Sequence, residues 1–250
     1  MEKYGKLKLQ FNEKTIEVRV YNPVLGKLGE QLNEFYTAGS SVVNAAYFNR
    51  SRWVENVCRY KITRNKLSDF DLSENQSVEF CENSAFSENR IDLDDRSSSV
   101  AILLESPHRY EYNERYQPIA PAQGRTGEAI RNHVLTIINN KYRELLTENE
   151  YRVLIINPIP IQASLFFLHG QPLKNSYKTL RDNVWIGLWK NIPEFKTSLI
   201  NIINSSNVKL LLNCCTSKLK YKLQIEGQIN CVIKQINHPS SWIWGIKETV

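Results

Sequence analysis

Four short runs of apolar residues constrain this chain more than any other feature. They are VAILLE from Val100, YRVLIINP from Tyr151, VKLLLN from Val208 and CVIKQINHP from Cys231. Each is too short for a buried helix and closes on turn-forming residues. Between them, apolar residues recur at helical spacing over about 126–146, 180–189, 195–204 and 216–223. A strand that is apolar on both faces has to be covered on both faces. Such strands alternating with helices predict an α/β fold, with a mainly parallel central sheet of about four strands flanked by helices. Ligands of these sheets sit beyond the carboxyl ends of the strands.

The residues before Val100 follow other rules. KLKLQF and TIEVRVY alternate apolar and polar residues on either side of NEK, which predicts a β-hairpin. Helical patterns are expected over 29–36 and 42–60. Residues 67–96 hold 9 acidic and 2 basic residues and are rich in Ser and Asn, the composition of a long surface connection. The chain is therefore expected to divide into an N-terminal hairpin and helical extension (1–66), an acidic connecting segment (67–99) and an α/β core (100–250).

Charge and cysteine usage narrow the function classes. The net charge is +6, carried outside the acidic segment, and suits a polyanionic partner. Five cysteines without paired CxxC spacing argue against a disulfide framework and against a four-cysteine metal site. His108, His133 and His169 form no recognisable metal set, so no metal and no cofactor are expected. The first residues, MEKYGKLKLQFNEK, lack the apolar core of a signal peptide, and no apolar run approaches the roughly 20 residues that span a bilayer. A cytoplasmic protein without membrane or obligate protein partner is the expectation.

The strand ends carry the chemistry-bearing residues. The first run ends in Glu105-Ser106-Pro107-His108, the second in Asn157-Pro158, the third in Asn213-Cys214-Cys215-Thr216, the fourth in Asn237-His238-Pro239-Ser240-Ser241-Trp242. In a parallel sheet, a carboxylate, an amide and an imidazole converge on one edge. Between the first two runs, Gly124-Arg125-Thr126-Gly127 opens a helix, where backbone N–H groups can face a phosphate.

The segments LESP, GRTG, LIINP and NHPSS, in this order over residues 100–244, resemble the motifs of the uracil-DNA glycosylase superfamily. That superfamily carries a first motif near Gly-Glu-Ala-Pro-Gly, a Gly-Arg-Ala-Gly turn, an Asn-ending strand and a His-Pro-Ser loop. Leu104 stands where a Gly is usual, and His108 where a Gly or Tyr sits; the cysteines of the iron–sulfur branch are missing. The resemblance implies an α/β/α sandwich and a DNA N-glycosylase acting on double-stranded DNA. It casts Glu105 and His238 as catalytic. Asn157, with His108 and Tyr112 on the rim, would read the base. Gly124, Arg125, Thr126, Gly127, Ser240, Ser241 and Trp242 would meet the DNA, with Trp242, Ile243 or Trp244 as a wedge.

Breaking an N-glycosidic bond leaves positive charge on the sugar and negative charge on the base. A carboxylate beneath the sugar and a donor beside the base answer these charges. An amide such as Asn157 offers one donor and one acceptor to a pyrimidine edge, and turned over it suits cytosine as well as uracil. The more polar rim of His108, Arg109, Tyr110 and Tyr112 points to a larger base than uracil, such as the hydroxymethylated or glucosylated cytosine of phage DNA, excised as a defence. The competing readings are a repair glycosylase for uracil or deaminated bases and a catalytically idle DNA-binding module of the same fold. A hydrolase using Ser106 or Cys214 with His238 lacks a nucleophile-elbow pattern around either residue.

Overall fold

A computed structural model describes residues 3–65, 70–74, 91–170 and 176–244. Its strands are β1 (Tyr4–Phe11), β2 (Lys14–Tyr21), β3 (Tyr36–Thr37), β4 (Val42–Val43), β5 (Val57–Arg64), β6 (Phe70–Glu74), β7 (Ser99–Leu103), β8 (Glu150–Ile156), β9 (Val208–Asn213) and β10 (Val232–Gln235). Its α-helices are α1 (Asn22–Leu25), α2 (Arg125–Ile137), α3 (Phe166–His169), α4 (Ser176–Asn191), α5 (Pro193–Ser205) and α6 (Ser217–Lys220). The chain is thus mixed α/β, with two sheets and several helices.

Two compact units share these elements. One holds residues 1–54, 106–118 and 159–195, the other 55–105, 119–158 and 196–250. The chain passes from one to the other after Val54, Glu105, Pro118, Pro158 and Phe195, an interleaved division in place of the three consecutive segments expected from the sequence.

In the first unit the expected hairpin is present. β1 and β2 pair antiparallel from Tyr4↔Tyr21 to Phe11↔Lys14 within a sheet ordered β2-β1-β4-β3. Its apolar alternation buries Leu7, Leu9, Phe11, Ile16, Val18 and Val20. α4 packs on β2; at Gly187 an added Cβ would lie 2.7 Å from Val18 Cγ1, so only glycine permits that approach.

The helices expected over 29–36 and 42–60 are not formed. Short 3₁₀ turns at Asn33–Phe35, Ala38–Ser40, Ala45–Phe48 and Arg50–Arg52 replace them, followed by β5. The reason is local. Gly29 and Ser41 take positive φ, and the side chains of Asn44 and Asn49 accept from Ala46 N and Ser51 N, each at 3.0 Å. Asparagines that bond the backbone two residues on compete with helix formation. Residues 57–64 then alternate as an antiparallel partner of β8 rather than as a helix.

The second unit contains a six-stranded sheet ordered β10-β9-β7-β8-β5-β6. All four runs recognised in the sequence lie in it, and they are mutually parallel: β10 with β9, β9 with β7, β7 with β8. β5 and β6 extend it antiparallel, so the sheet exceeds the four strands expected. β7 is buried along its whole length, and β8 and β9 nearly so, as strands covered on both faces require. β10 is the half-exposed edge. Ile130, Val134 and Ile137 of α2 join Val100 and Ile102 of β7, Val153 and Ile155 of β8, and Leu210 and Leu212 of β9 in one apolar cluster.

Part of the acidic segment is also strand: β6 pairs with β5 from Arg64↔Phe70 to Tyr60↔Glu74. Residues 67–69 and 75–90 of the expected surface connection lie outside the described residues. The other expected helices appear as α4, α5 and α6. α2 continues through a π turn at Ile138–Tyr142 and a 3₁₀ turn at Arg143–Leu145.

Candidate active site

Strand order locates the topological switch point of the six-stranded sheet. From β7 the chain moves to β8 on one side, and later returns as β9 on the other side of β7. The connections therefore diverge at the carboxyl ends of β7 and β9, the place where open α/β sheets hold their ligands. Glu105 follows β7 there. Its side chain is 6% exposed, and Oε1 accepts the backbone N–H of Thr216, just past β9, at 2.5 Å. A charged acceptor on a backbone donor is a strong and directional tie. The carboxylate bridges the ends of β7 and β9.

The sheet register aligns the remaining candidates with it. Leu103 is level with Ile156 on one side and Asn213 on the other, and Asn213 is level with Gln235. The ladder continues one step further: Leu104 N donates to Ile156 O at 2.8 Å, Cys214 N to Leu103 O at 2.9 Å, and Ile236 N to Asn213 O at 3.1 Å. Continued past the strands, this register sets Asn157 level with Leu104 and Asn237 level with Glu105, with His238 one residue further out. Sequence reasoning placed these groups on one edge, and the register does so.

Asn157 is 2% exposed, and its backbone N–H donates to Asn56 Oδ1 at 2.8 Å. Asn56 precedes β5 and carried no signal in the sequence. It holds the backbone of Asn157 where Pro158 ends the ladder. Asn56→Ala is expected to cost about 1 kcal/mol, the usual worth of such a bond, measured by denaturant unfolding.

His238 belongs to a tightly bonded loop. Ser240 N donates to its Nδ1 at 3.3 Å, with the Ser240 hydroxyl 2.9 Å from the same nitrogen. A backbone N–H can only donate, so Nδ1 is the acceptor and the proton sits on Nε2. With Nδ1 accepting, Nε2–H is the ring's donor. Asn237 Nδ2 donates to Ser241 Oγ at 2.7 Å, Ser241 Oγ donates to His238 O at 2.7 Å, and Trp242 Nε1 donates to Asn237 O at 2.8 Å.

This loop revises the wedge. Trp242 is 2% exposed and belongs to the apolar cluster of the sheet, so it anchors the loop. Trp244 is 82% exposed, and the side chain of Ile243 lies outside the described residues. Ser241 is spent on the loop's own bonds, whereas Ser240 is exposed.

The Gly-rich turn starts α2 as expected, and α2 packs against the loop that carries Ser240 to Trp244. Gly124 takes φ 64°, a left-handed value that favours glycine. Gly127 has no room for a side chain: an added Cβ would lie 1.8 Å from Ala122 O. Arg59, 3% exposed, fixes that approach by donating to Ala122 O at 2.8 Å and to Pro121 O at 2.6 Å. Arg125 and Thr126 occupy the first turn of α2.

His108 and Tyr112 belong to the other unit. His108 is exposed and caps the turn Arg109–Glu111, its Nδ1 accepting from Tyr110 N. Tyr112, expected at the base, is 4% exposed. Its ring lies 4.8 Å from that of Tyr116 and 5.8 Å from that of Phe167, an aromatic core position. The exposed aromatic is Tyr110, at 50%, with the Arg109 guanidinium over its ring.

The sequence also gave no sign of Lys220. It is 3% exposed, and its Nζ donates to Ile236 O at 2.5 Å. Burial pushes its pKa down, against the opposing pull of Cys214, Cys215 and Glu105. Burial pushes the Cys214 thiol well above its usual range, leaving it a poor nucleophile at neutral pH. The Cys215 thiol is turned onto Leu104 O. Among the described residues, no group of three or more His, Cys, Asp or Glu side chains could hold a metal ion, and no helix is long and apolar enough to cross a membrane. Comparison with protein families, with curated proteins and with solved structures finds no match for this chain.

Proposed function

We propose that the chain is a monofunctional DNA N-glycosylase that takes a pyrimidine out of the duplex and hydrolyses its bond to the sugar, using an α/β/α core of the uracil-DNA glycosylase kind. The observation that supports it most is the Glu105 carboxylate at the ends of β7 and β9, with the Asn157 amide and the Nε2–H tautomer of His238 on the neighbouring strand ends.

The chemistry follows from these groups. The base must leave the stack before any side chain can reach it. As the C1′–N bond breaks, its electron pair goes to the base. Nε2–H of His238 donates to the base oxygen that gathers this charge. The Glu105 carboxylate stabilises the sugar cation and orients water, whose oxygen bonds to C1′ while its proton leaves for the base. Asn157 holds the pyrimidine edge. The start of α2 and Ser240 supply backbone N–H and hydroxyl groups for phosphates. Double-stranded DNA is the partner in this reading.

The first-motif residues Leu104 and His108 depart from the uracil branches of the family, and the reading takes a substituted cytosine as the base, with phage DNA as its source and defence as the role. Incubation with uracil-containing, hydroxymethylcytosine-containing and glucosylated duplexes tests this, with free bases read by mass spectrometry. Release of the modified cytosine is expected. Release of uracil alone would establish the repair reading instead. His238→Ala is expected to slow release about 100-fold, the usual loss for one donor on a developing anion. Its full activity would remove His238 from the mechanism.

A further inference from the structure

We infer that Lys220 is a positioning residue, a clamp whose ammonium joins the loop carrying His238 to the strand end carrying Glu105. This rests on the glycosylase reading of the site.

The short helix α6 makes both connections. Its cap residue Thr216 gives its N–H to Glu105 Oε1, and Lys220, whose own N–H donates to Thr216 O at 3.0 Å, sends its ammonium to Ile236 O. Ile236 lies two residues before His238 and is fixed to β9 through Asn213 O. One turn of chain therefore ties the first, third and fourth strand ends together. The ionisable groups facing Lys220 are Glu105 from the end of β7 and Cys214 and Cys215 from the end of β9. All three pull the Lys220 pKa upward, against the larger opposing effect of burial.

Burying a lysine for stability alone would be a poor choice. Its folded pKa lies below the 10.5 of the unfolded chain, so the folded state binds fewer protons. Stability then rises as pH climbs from the folded value towards 10.5, and at neutral pH the ionised group costs stability. Its use is the geometry it imposes, and that geometry loosens as the proton is lost.

Single-turnover base release from the duplex that the wild type cleaves, followed from about pH 6 to about pH 10, tests this in Lys220→Met and in Lys220→Gln, which keeps a donor for Ile236 O. Lys220→Met is expected to melt within a few degrees of the wild type and to bind duplex within about twofold. It should release base roughly 10- to 100-fold more slowly, the effect of a misplaced group. The wild-type rate should fall at alkaline pH, and that fall should be missing from both variants. A readout independent of activity is the ¹³C NMR titration of the Lys220 Cε, which Glu105→Gln should move to lower pH. A wild-type rate with its alkaline fall intact in Lys220→Met, or a titration unmoved by Glu105→Gln, would overturn the proposal. A wild type that frees no base would sink the glycosylase reading, while the titration still decides the link between Lys220 and Glu105.

Discussion

Glu105→Gln is expected to slow base release about 10⁴-fold, the upper end of what a positioned acid–base group contributes, while duplex affinity stays within about twofold. The substitution keeps the shape of the side chain and an oxygen for Thr216 N, so the bridge between the ends of β7 and β9 survives. What disappears is the negative charge. With Glu105 only 6% exposed, no water layer replaces it, so the sugar cation meets a neutral amide. Single-turnover kinetics beside a fluorescence-anisotropy titration separate the two effects. Wild-type release by Glu105→Gln would refute the assignment. Loss of both release and binding would instead mark Glu105 as part of the frame.

The second large effect concerns the Gly-rich turn. Gly127→Ala is expected to cost about 3 kcal/mol or more, because the added methyl has no low-strain position. It would meet Ala122 O at 1.8 Å and the Ala122 carbonyl carbon at 3.0 Å, with Arg59 Nη1 at 3.4 Å. The carbonyl cannot simply swing away. Ala122 is already held at φ 54°, and Arg59 bonds its oxygen and that of Pro121. A chain of this size should lose roughly 6 to 12 °C in melting temperature for such a loss. Differential scanning calorimetry of Gly127→Ala, Arg59→Met and the double variant gives a further check. The two sites share one carbonyl, so the double variant should fall short of the sum of the single losses. Strict additivity would show that Arg59 does not hold the turn.

Legibility followed burial. β7, β8 and β9 were readable because a strand covered on both faces is apolar throughout, and few other structures give five or six such residues between turns. The hairpin was readable because β1 and β2 are buried on one face only, which forces alternation. The region 29–60 was misread because its apolar residues recur at helical spacing, while asparagine side chains and positive-φ positions divert the backbone into 3₁₀ turns. β5 hid within that pattern, since its partner β8 lies about 90 residues further along the chain, and such pairing leaves no local trace. The interleaving of the two units is equally non-local.

The positions of Glu105, Asn157 and His238 just past strand ends were legible because strand ends are marked by turn residues. Which strand ends are adjacent was not, because that depends on the order of strands in the sheet. Lys220, Asn56 and Arg59 were missed for a common reason. Each acts on a main-chain group, Ile236 O, Asn157 N and the Pro121 and Ala122 carbonyls respectively, and backbone partners have no signature in a sequence. Tyr112 was misassigned in the opposite direction. An aromatic shortly after a candidate carboxylate suggests contact with a base, but here it fills the aromatic core of its own unit.

The central claim is tested most directly by mass spectrometry of the bases freed by the wild-type protein from duplexes carrying uracil, hydroxymethylcytosine, glucosylated cytosine or unmodified bases. The account predicts a free substituted cytosine, matched mole for mole by abasic sites in the strand. Duplexes that all remain intact, with no free base above a protein-free control, would contradict it.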